Sequence, residues 1–199
     1  VAVGSTSTAA YSSNGITWSG SSIANTNWTG VAYGNGTFVA VAGVGQSGAY
    51  SYDGINWNSI NLPTNGGGTK FVTYGNGYFI VTNYVSNDIN YSRDGINWST
   101  SLRTSTYGIK TDIAYGNGVY VAGNRQDTPF IAYSYDGITW SGATNSNVIG
   151  SVPNSIAYNG SRWVAVGSSP AGGTGNRTTI AYSDDGISWT ASANSGTIF

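Results

Sequence analysis

The stretch Ala49-Tyr50-Ser51-Tyr52-Asp53-Gly54-Ile55-Asn56-Trp57 decides the reading of this chain, because it returns. Copies stand at 10–18, 90–98, 132–140 and 181–189, ending at Trp18, Trp98, Trp140 and Trp189. The steps from Trp to Trp are 39, 41, 42 and 49 residues. A second phrase, Val31-Ala32-Tyr33-Gly34-Asn35-Gly36-Thr37-Phe38-Val39-Ala40-Val41, precedes the first, and its echoes run 72–82, 113–123 and 156–166. A period of about 40 residues holding four short β-rich runs is the pattern of a propeller blade.

Each unit contains two hairpin signals. Asn35-Gly36, Asn76-Gly77 and Asn117-Gly118 suit type I′ turns, because both residues tolerate positive φ. Asp53-Gly54, Asp94-Gly95, Asp136-Gly137 and Asp185-Gly186 read the same way. Strand a is then expected over 31–34, strand b over 37–41, strand c over 49–52 and strand d over 55–57. The start, Val1-Ala2-Val3-Gly4, matches strand b, and the end, Gly196-Thr197-Ile198-Phe199, matches strand a. The expectation is an all-β, five-bladed β-propeller with four antiparallel strands per blade. It forms a single domain over 1–199, closed by pairing the C-terminal strand with the N-terminal blade. The blades fall near 1–20 plus 195–199, 30–60, 70–100, 112–142 and 155–190. Such closure would cover sheet edges that invite aggregation. A start at Val1 without Met reads as a processed or partial product.

The phrase Ser-x-Asp-Gly-Ile-x-Trp resembles a shortened Asp-box, the repeat of sialidase-type and other bacterial-neuraminidase-repeat propellers. The family pattern carries one more residue between the Gly and the aromatic. The paired phrases together are similar to repeats in phage tail and bacterial surface proteins. The resemblance implies a propeller in which the Asp-box is a structural turn remote from any catalytic centre. The arginine cluster and the Tyr/Glu pair of sialidases have no match here, since Glu is absent and Arg is sparse.

Composition narrows the function classes. The chain has 199 residues, a net charge of −1, 8% charged residues, 14% aromatic residues and no Cys, Met or His. That removes disulfides, thiol chemistry, Ser-His-Asp triads and zinc sites of the usual kind. The charge balance argues against nucleic acid, whose binding rests on phosphate neutralisation. No apolar run reaches the length of a membrane span, so no membrane insertion is expected. Abundant Ser, Thr, Asn and Gly with few charges suit an extracellular or virion-surface protein.

The repeated Trp residues (Trp18, Trp57, Trp98, Trp140, Trp189) are expected to pack between blades as structural residues. Asp53, Asp94, Asp136 and Asp185 are expected to accept turn amides. Held one per blade, they are too dispersed for the six or more oxygens of a calcium site, so no metal and no cofactor is expected. Recognition is expected on the variable b–c and d–a loops, which carry aromatic and charged residues outside the repeat register. The candidate ligand-binding residues are Trp28, Tyr84, Asp88, Arg103, Tyr107, Arg125, Asp127 and Arg177. Rings that stack on sugar faces and polar groups that read hydroxyls suit a glycan. A glycosidase needs two carboxylates about 5–10 Å apart. Of the Asp residues without turn duty, Asp112 alone is expected near a central channel, so no enzyme is expected. The leading expectation is a non-enzymatic, lectin-like attachment module binding a cell-surface glycan or protein. The alternative is a structural decoration or assembly domain of a virion or tail fibre, with other subunits as partners.

Overall fold

The computed structural model describes residues 1–24, 27–43, 45–63, 68–83, 89–101, 109–124, 130–150, 152–167 and 179–193. The chain divides into two compact units, Val1–Leu102 and Arg103–Phe199. The first holds three antiparallel sheets. Its first sheet has β1 (Ala2–Val3), β2 (Thr8–Tyr11) and β3 (Ser19–Ser22). The second has β4 (Trp28–Gly34), β5 (Thr37–Ala42), β6 (Ser47–Ser51) and β7 (Asn58–Asn61). The third has β8 (Thr69–Gly75), β9 (Tyr78–Asn83), β10 (Ile89–Ser92) and β11 (Ser99–Ser101). The second unit holds two sheets. The fourth sheet has β12 (Ile109–Gly116), β13 (Val119–Asn124), β14 (Ile131–Ser134) and β15 (Ser141–Gly142). The fifth has β16 (Pro153–Tyr158), β17 (Trp163–Gly167), β18 (Ile180–Ser183) and β19 (Thr190–Ala191). A 3-10 turn, Ser146–Ile149, follows β15 and buries Ile149.

The order within every four-stranded sheet is sequential, as the two hairpin signals require. The first sheet shows three strands; its expected fourth, over 195–199, lies outside the described residues, as does the pairing of the two chain ends. The Asn-Gly hairpins are as expected. Asn35 and Gly36 have φ of 48° and 75°, and the pairs at 76–77 and 117–118 repeat this left-handed signature of a type I′ turn. At the fifth sheet Gly160 alone is left-handed, and Asn159 Oδ1 accepts the Ser161 and Arg162 amides at 2.9 and 2.8 Å.

The Asp-Gly pairs do not form the expected two-residue turns. At Asp53, Asp94, Asp136 and Asp185 only the following Gly has positive φ, so these are not type I′ turns. The outer strand starts after the Trp, at Asn58, Ser99, Ser141 and Thr190, and not at the Ile before it. The physical reason is the Asp side chain. It accepts the amides two and three residues on and spreads the connection over Tyr52–Trp57 and its equivalents.

Strand b lies second in each four-stranded sheet and is apolar on both sides, which period-two alternation makes legible. Val39 and Val41 of β5 pack with Leu62, just after β7, and with Phe79 and Val81 of the next repeat. Ala40 and Ala42 point the other way, toward Ala9, Ile23 and Trp28. In the second unit Val119 and Val121 meet Ile156, Trp163 and Ala165. Sheets therefore pack face to face within each unit. At the inner strands the backbone itself is in contact: a Cβ on Gly34 would fall into the ring of Tyr74, and one on Gly116 into that of Tyr158.

Candidate functional site

The Ser-x-Asp-Gly-x-x-Trp turn is a closed hydrogen-bond unit. In the second sheet Ser51 Oγ donates to Asp53 Oδ1 at 2.9 Å and accepts the Gly54 amide at 2.8 Å. Asp53 Oδ1 accepts the amides of Ile55 and Asn56, both at 2.8 Å. Asp53 Oδ2 accepts from Asn56 Nδ2, and Trp57 Nε1 donates to Gly54 O at 3.2 Å. The unit recurs around Asp94, Asp136 and Asp185. Asn14 does the same without charge, taking the amides of Ile16 and Thr17 at 2.9 Å.

These bonds favour the ionised carboxylate. At Asp53 the Asn56 amide leads, and the pKa lies well below the usual carboxylate range. At Asp94, Asp136 and Asp185 burial pushes the carboxyl up, but amide and hydroxyl donors outweigh it and the pKa is again lowered. Asp112 also has a structural partner set. Its Oδ1 accepts the Ile113 amide, while its Oδ2 takes Ser155 Oγ at 2.8 Å and the Ile156 amide at 2.9 Å, joining β12 to β16.

Of the expected ligand-binding residues, Trp28 is described, and it is not at the surface. It lies on β4, 4% exposed, within the cluster of Ile23, Ala40 and Ala49. Strand β4 reaches further back than expected, and a register shift between Trp28 and Gly30 accompanies the inward aim of the indole. Tyr84, Asp88, Arg103, Tyr107, Arg125, Asp127 and Arg177 lie outside the described residues. The repeated Trp residues differ among themselves. Trp140 and Trp189 are buried, Trp57 and Trp98 half-buried, and Trp18 is 47% exposed.

Among the described residues, the aromatic side chains open to solvent cluster at the turn end of the sheets, which sequence reasoning treated as scaffold. Tyr52 and Tyr135, each between the Ser and the Asp of its turn, are 64% and 58% exposed. Each meets the Tyr two residues before it edge-on, Tyr50 at 5.6 Å and Tyr133 at 5.8 Å. Beside these turns lie shallow hollows. One in the third sheet, of about 280 Å³, is lined by Tyr78, Tyr91, Arg93, Asp94, Asn97 and Ser99. Its counterpart in the fourth sheet, of about 160 Å³, is lined by Tyr133, Tyr135, Asp136, Thr139 and Ser141. A third, of about 560 Å³, lies between β3 and the turn of the second sheet, with Ser21, Ile55, Asn56 and Trp57 in its wall. The available signal in the sequence was the turn position that changes from copy to copy while its neighbours do not.

No family model matches the chain, and no curated protein matches it in sequence. Among solved structures it is similar to a catalytically inactive virginiamycin B lyase from Staphylococcus aureus with quinupristin, at 15% identity and TM-score 0.67, covering 93% of this chain and 62% of that one. It is similar to YCF48 bound to D1 peptide, at 18% identity and TM-score 0.54, covering 88% of this chain and 57% of that one. It is also similar to a GH74 enzyme from Niastella koreensis, at 18% identity and TM-score 0.59, covering 85% of this chain and 25% of that one. These are β-propeller proteins, and the chain shares that fold. It spans less than two thirds of the length of each. Two of the three are enzymes, so the expectation that the chain is not an enzyme does not stand. The missing His, Cys and Glu remove particular catalytic groups, not the fold's capacity to carry others.

Proposed function

We propose that the chain is a glycan-recognition module displayed on a virion or cell surface, with its five sheets as five blades and its turns as shortened Asp-boxes. Binding takes place in the turn-end hollows. One observation carries this reading: the same hollow, walled by a Tyr, a turn residue free to vary and small polar groups, recurs in the third and fourth sheets. Such a wall offers a flat apolar surface for a sugar ring and hydroxyl or amide partners for its edge. These two hollows are small beside ordinary drug-sized pockets of about 300–1,000 Å³. They suit one or two sugar units and weak affinity per site, which repetition strengthens through avidity.

The test is binding of an oligosaccharide panel by saturation-transfer NMR, with wild-type chain, Tyr135→Ala, whose ring lines the fourth-sheet hollow, and Tyr52→Ala, whose ring lines none of the three hollows. A stacking ring is worth ~0.5–1.5 kcal/mol, about two- to tenfold in affinity. Tyr135→Ala should weaken binding and Tyr52→Ala should not, both leaving the unfolding temperature within a degree or two, since both side chains are exposed. Undiminished binding in Tyr135→Ala overturns the reading.

A further inference from the structure

The turn position between Ser and Asp, or Asn14 in the first copy, holds Ser13, Tyr52, Arg93, Tyr135 and Asp184 along the chain. Ser, Asp and Gly close the turn, so this residue changes without disturbing it. In the third sheet it is Arg93, at the wall of the hollow. Arg93 Nε and Nη2 both donate to the Tyr78 hydroxyl, at 3.0 and 2.6 Å, and the guanidinium lies 4.6 Å from the centre of the Tyr78 ring. The fork is thus fixed at one edge, and neither bond involves Nη1.

No carboxylate among the described residues forms an ion pair with Arg93. Among the described residues the one salt bridge is that of the fifth sheet, where Arg162 Nε donates to Asp184 Oδ1 at 2.8 Å. There the cation stands just before β17, at the position that Tyr78 holds in the third sheet, and the turn position is acidic. Asp94 follows Arg93 in sequence, but its oxygens face the turn, where they accept from Ser92, Ile96 and Asn97. Around Arg93 stand the Tyr91 ring, 6.0 Å from Tyr78 and edge-on to it, and the polar groups of Asn97 and Ser99.

We propose that this hollow is a subsite for a pyranose bearing a carboxylate, a hexuronate or a sialate. Arg93 holds the carboxylate, Tyr91 covers the ring, and Asn97 and Ser99 read hydroxyls. A planar cation with fixed orientation suits a carboxylate better than it suits a neutral hydroxyl. Tyr78 is a positioning residue, acting through Arg93. This assignment rests on the glycan-recognition reading and names its ligand class.

The experiment compares four probes by isothermal titration: trigalacturonate, its methyl ester, sialyllactose and lactose. The ester keeps the rings and removes the charge. The variants are Arg93→Gln and Tyr78→Phe, each checked for an unchanged unfolding temperature. In wild type one acid should bind about tenfold more tightly than its neutral partner, the gain of a charge-assisted hydrogen bond. Whether trigalacturonate or sialyllactose shows the gain identifies the acid. Arg93→Gln should collapse the ratio toward one through loss of affinity for the acid. Tyr78→Phe should reduce the ratio, whereas a purely structural role would weaken acid and neutral probes together. Equal binding of acids and neutral partners, or a preference that survives Arg93→Gln, overturns the acidic subsite and leaves glycan recognition standing. Binding of none of the four overturns both.

Discussion

At the scale of single residues, the same letter in the repeat carries unequal weight. Trp57 and Trp98 pack against the sheet before their own, whereas Trp18 has no sheet before it within its unit. Trp189, 2% exposed, sits among Ile131, Trp163 and Ala181. Trp189→Ala should therefore lose roughly 3–5 kcal/mol. Trp18→Ala should lose about 1 kcal/mol or less, as expected of an exposed site. Urea unfolding of the two variants checks the contrast, and equal losses would contradict it. The role of Asp in the turn was legible from Ser-x-Asp-Gly, since side-chain capture of nearby amides is local chemistry. The burial of each Trp was not, because it depends on which neighbour covers it. Trp28 shows the same limit: a non-repeating aromatic on a presumed loop proved to be core, re-aimed beside a bulge in β4.

At the scale of strands and turns, alternation and the Gly-containing hairpins were enough to locate three strands of each four-stranded sheet to within a few residues. The outer strand was displaced, because Asp-Gly was read as a two-residue turn. The Asp carboxylate instead organises a longer loop, and a short polar edge strand carries little pattern of its own. The Gly ahead of each Asn-Gly also escaped the reading. Gly34 and Gly116 give room to Tyr74 and Tyr158 of the following repeat. Gly34→Ala and Gly116→Ala should each cost ~1–3 kcal/mol through overpacking. Gly36→Ala meets no neighbouring atom, but its φ of 75° makes it pay in backbone strain. Thermal unfolding of the three variants measures these costs. If Gly34→Ala unfolds like wild type, the ring contact is not a constraint.

At the scale of the whole chain, the charge inventory sets the response to pH. There is no His, so no side chain with an ordinary pKa between about 5 and 8 is present. Asp53, Asp94, Asp136 and Asp185 have folded-state pKa values below their ordinary value of 3.8. A lowered folded pKa means the stability is fully present above the unfolded value and is lost as pH falls through the folded one. The unfolding temperature should thus be level from pH 8 to about 5 and decline below about 4. Changing all four to Asn should flatten that decline without dismantling the turns, as Asn14 already serves in their place. Calorimetry across pH would expose a fault in this account if the variant and wild type declined alike. Repeat count and strand arithmetic were readable from sequence. The exposed turn-end aromatics were not, since a residue that breaks a repeat gives no hint of which way it faces. That freedom at one position, between a constant Ser and an Asp that only Asn replaces, separates what a turn displays from what holds it. A single substitution there alters the chemistry that a copy presents to solvent and leaves the bonds that close the turn as they are.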